Sequence, residues 1–457
     1  MASFFCGILS VNIENTSMYT NKQIWDVSYP IFLSLLAQNV INVTDTAFLG
    51  RVGEVALGGS AMGGLYYICI FTIAFGFSTG SQIVMARRNG EGNYKDVGPV
   101  MIQGVLFLEL LAAFLFVLSQ LFGGKIMRVL VSSDVIWSAT MEYLDWRVLG
   151  FFFAFVNIMF RALYVGITRT KVLTYGAIVM ALANVLLDYL LIFGHAGLPQ
   201  MGIKGAAIAS VLSEAIGMIF LLVCTFKTVD IRKYGLNRFE SLQIGLLKRV
   251  LGISIYTMMQ YFISMSTFFM FFIAVERLGQ RELAIANIVR SIYIVMMIPI
   301  NSLATTTNTL VSNAIGAGHT DQVISVIRHI AKISFYIIAA IDVIVCLFPE
   351  SIVSIYTSEK ALINESVLSV YVISAALLIS SLSTIAFSGV SGTGNTRTAL
   401  WIEIVTLVFY TVSIYYLGMY LRKPVYICFT VELVYYLGML FLSMIYLKKG
   451  NWQGKKI

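Results

Sequence analysis

Charge is what this sequence has least of. Charged side chains make up 12% of its 457 residues, about half the share found in soluble domains. The few charges cluster in short gaps between long apolar runs, and 58% of the residues are hydrophobic. That pattern excludes a water-facing surface and fits a lipid solvent. The bilayer therefore sets the architecture, in place of the two or three aqueous domains that this length would otherwise suggest.

Other absences narrow the function. The five cysteines, Cys6, Cys69, Cys224, Cys346 and Cys428, form no CxxC pair and no metal spacing, so they read as packing residues. No HExxH, no GxSxG with suitable partners, no phosphate loop and no paired metal motif is present. The three histidines, His195, His319 and His329, read as lying in or near loops. A membrane-embedded enzyme and an ATP-driven pump on its own chain are thereby disfavoured, and no cofactor is implied. The apolar stretch Phe4 to Val11 has no Lys or Arg before it. It therefore lacks the basic start of a signal peptide and reads as a tail or interfacial segment.

What is present is a series of runs long enough to cross a membrane. Twelve are expected: Val27–Leu49, Ser60–Met85, Val97–Phe122, Tyr143–Val165, Val172–Phe193, Ile203–Phe226, Ile253–Val275, Ala284–Ser312, Val323–Phe348, Val367–Val390, Ala399–Tyr420 and Val425–Leu447. They are continuous, without the alternation of a β-barrel. The net charge of +8 lies mostly in alternate gaps. One set includes Arg87, Arg88, Lys95, Arg169, Lys171, Arg232, Lys233, Arg238, Lys248, Arg249, Arg328, Lys332, Arg397, Lys448, Lys449, Lys455 and Lys456. The other is sparser, with Arg51, Lys125, Arg128, Lys204, Arg277, Arg281, Lys360, Arg422 and Lys423. The positive-inside rule then puts both termini in the cytoplasm of a multi-pass protein, in the inner membrane if the source is bacterial. The charge is a topology signal and not a nucleic-acid footprint.

The chain also repeats itself. Arg51-Val52-Gly53 matches Arg277-Leu278-Gly279, Gly90 and Gly92 match Gly316 and Gly318, and Gly166, Thr170 and Lys171 match Gly392, Thr396 and Arg397. All three keep one offset, 277 − 51 = 316 − 90 = 392 − 166 = 226. Six spans per half make the halves parallel repeats about an axis along the membrane normal. The expected organisation is a tail over 1–24, a six-helix lobe over 25–228, a basic cytoplasmic linker over 229–249, a second six-helix lobe over 250–448 and a tail over 449–457.

Ionisable groups inside a bilayer cost at least about 2.5 kcal/mol and so mark function. Ser34, Gln38, Asn42 and Asp45 line one face of the first span at helical spacing. Asn184 and Asp188 stand one turn apart on the fifth. The sixth opens with Gly205-Ala206-Ala207-Ile208-Ala209-Ser210, where small residues permit close helix approach and Ser210 adds a hydroxyl. Asp45, Asn184, Asp188 and Ser210 form a hard-oxygen set able to hold Na+; alternatively the two carboxylates share a proton. At the repeat offset Asp45 falls on Phe271, Asn184 on Tyr410 and Asp188 on Ile414. The acidic cluster is thus expected in the first half only.

The second half offers polar stripes: Gln260, Ser264 and Thr267 on span seven, and Asn301, Thr305, Asn308 and Ser312 on span eight past a kink expected at Pro299. With Gln38, Asn42 and Asn157, residues Gln260, Ser264, Asn301 and Asn308 are candidates to line a substrate cavity. Arg147, Arg161 and Arg290 are expected to snorkel to an interface. Glu403 is expected to pair with Arg397. Glu109, in span three, has no partner that the sequence names.

Asp45 within Asp-Thr-Ala-Phe-Leu-Gly, the Gly90–Gly92 loop, Asn184 with Asp188, and Gly-Ala-Ala-x-Ala-Ser together resemble the multidrug and toxic compound extrusion (MATE) family. The likeness runs through nearly the whole chain. It implies an all-α polytopic fold: twelve transmembrane helices in two parallel six-helix repeats forming a V-shaped bundle. It also implies antiport of organic cations or amphipathic drugs against H+ or Na+, by a monomer that needs no cofactor. Asp45, Asn184, Asp188 and Ser210 match the family's first-lobe coupling residues. Gln260 stands where many members carry Glu, and Ser380 where some carry Asp. That departure resembles the branch named for the DNA-damage-inducible protein F and places coupling in the first lobe. The runner-up function is a lipid-linked saccharide flippase, which would need a basic cavity where this chain has mainly acids.

Overall fold

The structure, a computed structural model, describes residues 18–237 and 243–454, apart from the side chain of Phe269. Phe4 to Val11, Cys6, Arg238, Lys455 and Lys456 lie outside the described residues. Among those described, every regular element is helical.

Eleven helices among the described residues are long and apolar enough to cross a membrane, and a bent pair, counted as one span, makes twelve. In chain order they are α1 (Asn21–Val52), α2 (Glu54–Gly90), α3 (Val97–Leu130), the bent pair α4 (Asp134–Arg147) and α5 (Gly150–Gly166), α6 (Lys171–Phe193) and α7 (Gly202–Thr228). Then come α8 (Ile244–Glu276), α9 (Gln280–Gly316), α10 (Val323–Leu347), the short α11 (Pro349–Val353), α12 (Lys360–Gly392), α13 (Thr396–Ile414), the short α14 (Val425–Cys428) and α15 (Thr430–Lys449). The last turns of α13 widen into a π-helix over Tyr415–Tyr420.

The expected spans are all present, with one correction. The fourth is not a single rod over Tyr143–Val165: α4 and α5 meet at 55°. Gly150 opens α5, so the bend falls beside a residue that tolerates close packing. Helix α9 continues through Pro299 without a break in the helix.

Why these helices belong in lipid is plain on α3. Leu106, Leu110, Phe114, Val117 and Leu121 are all exposed. Their spacing of four, four, three and four residues draws one stripe along the helix. A continuous exposed stripe of this kind is not tolerated in water.

Packing divides the chain into two units: Tyr29–Met258, and a second that joins the start of α1, up to Ser28, to Met259 onward. The first unit buries Phe77, Phe151, Phe155 and Tyr164 in its centre. Glycine lets backbones touch there. A Cβ on Gly205 would stand 2.7 Å from the Leu191 carbonyl, and one on Gly76 would stand 2.5 Å from the Cα of Met258. The close approach expected of the Gly205 segment is therefore real, between α6 and α7. Gly205→Val should destabilise the unit by about 1–3 kcal/mol through overpacking, seen as a lower melting temperature in detergent; an unchanged melt would refute the contact. The segment after α7 also packs within this unit, where the Gly98 amide donates to the Tyr234 carbonyl at 2.8 Å.

In the second unit two apolar clusters run along α9, α10, α12 and α15, one around Ile292, Ile300 and Val370, the other around Val311, Ile330 and Ile385. His329 is not in a loop. It is buried on α10, where its Nε2 meets Asn21 Oδ1 at 2.6 Å, tying the start of α1 into this unit.

Candidate functional site: a carboxylate pair beside an arginine–glutamate bridge

Asn184 and Asp188 are fully buried on α6. Helical spacing puts both on the face that meets Asp45 of α1. Asp45 interacts with Asp188 and Asn184, and the charge of Arg147 acts on it. Asp188 interacts in turn with Asp45. The groups are neighbours, yet no well-formed protein hydrogen bond ends on Asp45 Oδ1, on either oxygen of Asp188, or on either polar atom of the Asn184 amide. Buried polar atoms are normally satisfied, so this is a concentration of acceptor oxygens with capacity to spare. Ser210 is buried on α7, but no hydrogen bond joins its hydroxyl to either aspartate.

The structure adds a feature that the sequence reading missed. Arg147 does not snorkel. It is buried at the end of α4 and grips Glu214 of α7 with both guanidinium nitrogens, Nη1 to Oε2 at 3.0 Å and Nη2 to Oε1 at 2.6 Å. The guanidinium carbon lies 3.5 Å from the centre of the Tyr67 ring, and the Tyr67 hydroxyl donates to Glu214 at 3.2 Å. Asn157 donates to the Glu214 backbone carbonyl at 2.8 Å, so it braces α5 against α7. Gly150 makes room for all of this: a Cβ there would stand 2.2 Å from Arg147 Nη1 and 2.5 Å from Glu214 Oε2. Planar bidentate pairing of this sort is the strong form of a charged hydrogen bond. The signal was available, since Arg147 and Glu214 are opposite charges inside two apolar spans and each needs a counter-ion.

Of the other expected cavity residues, Gln38 and Asn42 are exposed on α1 and Asn301 is exposed on α9. Gln260 and Asn308 are buried, each with a side-chain oxygen that no protein group satisfies.

Acids are not confined to the first half. In the second unit Glu403 is buried and accepts from Ser264 Oγ at 2.5 Å and from the Tyr435 hydroxyl at 2.8 Å; it does not pair with Arg397. Glu432 accepts from the Tyr410 hydroxyl at 3.0 Å, and the Tyr293 and Tyr436 hydroxyls are bonded to each other. Asp342 is buried as well. The repeat offset could not reveal these groups, because they stand on positions whose first-half counterparts are not acidic. Among the described residues no cluster of His, Cys, Asp and Glu fits a metal ion. Glu109 Oε1 is buried without a protein partner.

A polytopic helical bundle with a carboxylate pair sunk in its first half defines a membrane transporter. The chain matches the MatE family over residues 30–190 and again over 257–417, two stretches whose starts lie 257 − 30 = 227 residues apart. It belongs to that family, and is a membrane transporter, not an enzyme. It is similar to the probable multidrug resistance protein NorM of Thermotoga maritima, 24% identical over 95% of this chain and 94% of that protein. It is also similar to the NorM of Agrobacterium fabrum, 28% identical over 48% of this chain and 49% of that one. Among solved structures, an outward-facing multidrug resistance MATE family transporter of the MOP superfamily superposes with a TM-score of 0.85 at 17% identity, covering 95% of this chain and 97% of that one. A mutant of the Vibrio cholerae MATE transporter VcmN gives 0.83 at 16% identity, covering 95% and 98%.

Proposed function

We propose that this transporter is a secondary multidrug exporter, coupled to H+ or Na+ through Asp45, Asn184 and Asp188. Its substrates are organic cations or amphipathic drugs, and both termini lie in the cytoplasm. The observation that carries the reading is the packing of Asp45 against Asp188, with three carboxylate oxygens, Asp45 Oδ1 and both of Asp188, on which no well-formed protein hydrogen bond ends. Asp45, Asp188 and Glu214 bring three negative charges and Arg147 one positive, so the cluster sums to −2 when every group is ionised. Inside a bilayer such a deficit is neutralised by bound cations. Uptake of a cation then lowers the free energy of whichever access state holds it better, and that differential affinity is what drives exchange. The naming of the similar NorM proteins for multidrug resistance agrees with this. The acidic character of the cluster disfavours the flippase reading.

The test is release of a fluorescent organic cation from proteoliposomes under a pH gradient and, separately, a Na+ gradient. Transport driven by one of them supports the exchange and names the ion. Folded protein that responds to neither would overturn the coupling.

A further inference from the structure

Helices α10, α12 and α15 line a narrow, partly open cleft in the second unit. Its walls are apolar, with Ile327, Leu382, Ala386, Leu440 and Met444 among them. Among the described residues, the charged side chains on its lining are Arg328 and Lys448, and none of those lining it is acidic. Lys332, one turn along α10, acts electrostatically on the same end, beside Arg328.

Depth gives this arrangement meaning. Lys448 is in the last turn of α15, and Leu440 lies eight residues further in, or about 12 Å at the rise of a helix. Leu382 lies ten residues inside the end of α12 at Gly392, about 15 Å. The cleft therefore spans about half of a 30 Å hydrocarbon core, the thickness of one leaflet. Its cations sit where head groups lie and its apolar wall sits where acyl chains lie.

We infer that this cleft is a binding site for an anionic phospholipid, with an acyl chain along Leu382, Ala386 and Leu440 and the phosphate between Arg328 and Lys448. A zwitterionic lipid fills the same apolar wall but brings its own cation against two others, so the charges select for net negative head groups. The leaflet is the cytoplasmic one if the orientation given by the basic loops holds; the site itself does not depend on the transport reaction.

The experiment is native mass spectrometry of the full-length protein in mild detergent, titrated with phosphatidylglycerol or phosphatidylcholine. Wild type should retain one phosphatidylglycerol in preference to phosphatidylcholine. Arg328→Gln with Lys448→Gln should lower that preference by about twenty-five-fold, at roughly fivefold for each cation. Lys449→Gln, a neighbouring charge off the lining, should leave it unchanged. Ala386→Trp, which fills the cleft and keeps both cations, should lose the retained lipid. Equal retention of the two lipids by wild type, or a preference that survives in the double variant, would overturn the assignment.

Discussion

Asp188→Asn should abolish gradient-driven export, and Asp45→Asn should do the same. Each substitution removes one negative charge from the cluster proposed to take up cations, while an amide of nearly equal volume keeps the packing. Coupling energies in such systems run to about 3 kcal/mol, so the driven rate should fall by on the order of 100-fold, to the uncoupled leak. The side chain of Asp188 is fully buried with no well-formed hydrogen bond on either oxygen, and the melting temperature should hold or rise. A driven rate within a few-fold of wild type in both variants, with expression equal, would remove the pair from the mechanism.

The second large effect concerns stability. Arg147→Met leaves Glu214 buried against Tyr67 without its counter-ion, and Glu214→Gln strands Arg147. Breaking a buried pair from one side costs about 3–5 kcal/mol, a loss that thermal unfolding in detergent would register plainly. Replacing both partners, with Arg147→Met and Glu214→Leu together, should recover most of it, because no lone charge remains. Transport should not recover in step, since the charge of Arg147 also acts on Asp45. If the double variant is as unstable as the singles, the bridge is not what holds α4 against α7. Gly150→Val should mimic the single variants, because its side chain would occupy the space of the guanidinium.

The sequence was a good guide wherever one chain segment was enough. Twelve apolar runs located twelve spans, because a lipid solvent allows a backbone few other choices than the helix. The spacing of Asn184 and Asp188 put them on one face of α6, and the small residues around Gly205 announced a close contact. The offset between Arg51 and Arg277 revealed a repeat that the MatE family match also traverses twice.

It was a poor guide wherever a side chain's partner came from a distant helix. Nothing in the order of residues says that Arg147 meets Glu214, that Ser264 bonds Glu403, or that Asn21 holds His329. Each partnership joins segments 67, 139 and 308 residues apart, and only the packing of the helices brings them together. The fold class, the spans and the acids worth testing were thus settled by composition and period, which are local properties set by the solvent and the helix. Which of those acids meets an arginine, which meets hydroxyls, and which keeps oxygens without a well-formed protein hydrogen bond was decided by tertiary contact, because charge balance in a bilayer depends on neighbours in space.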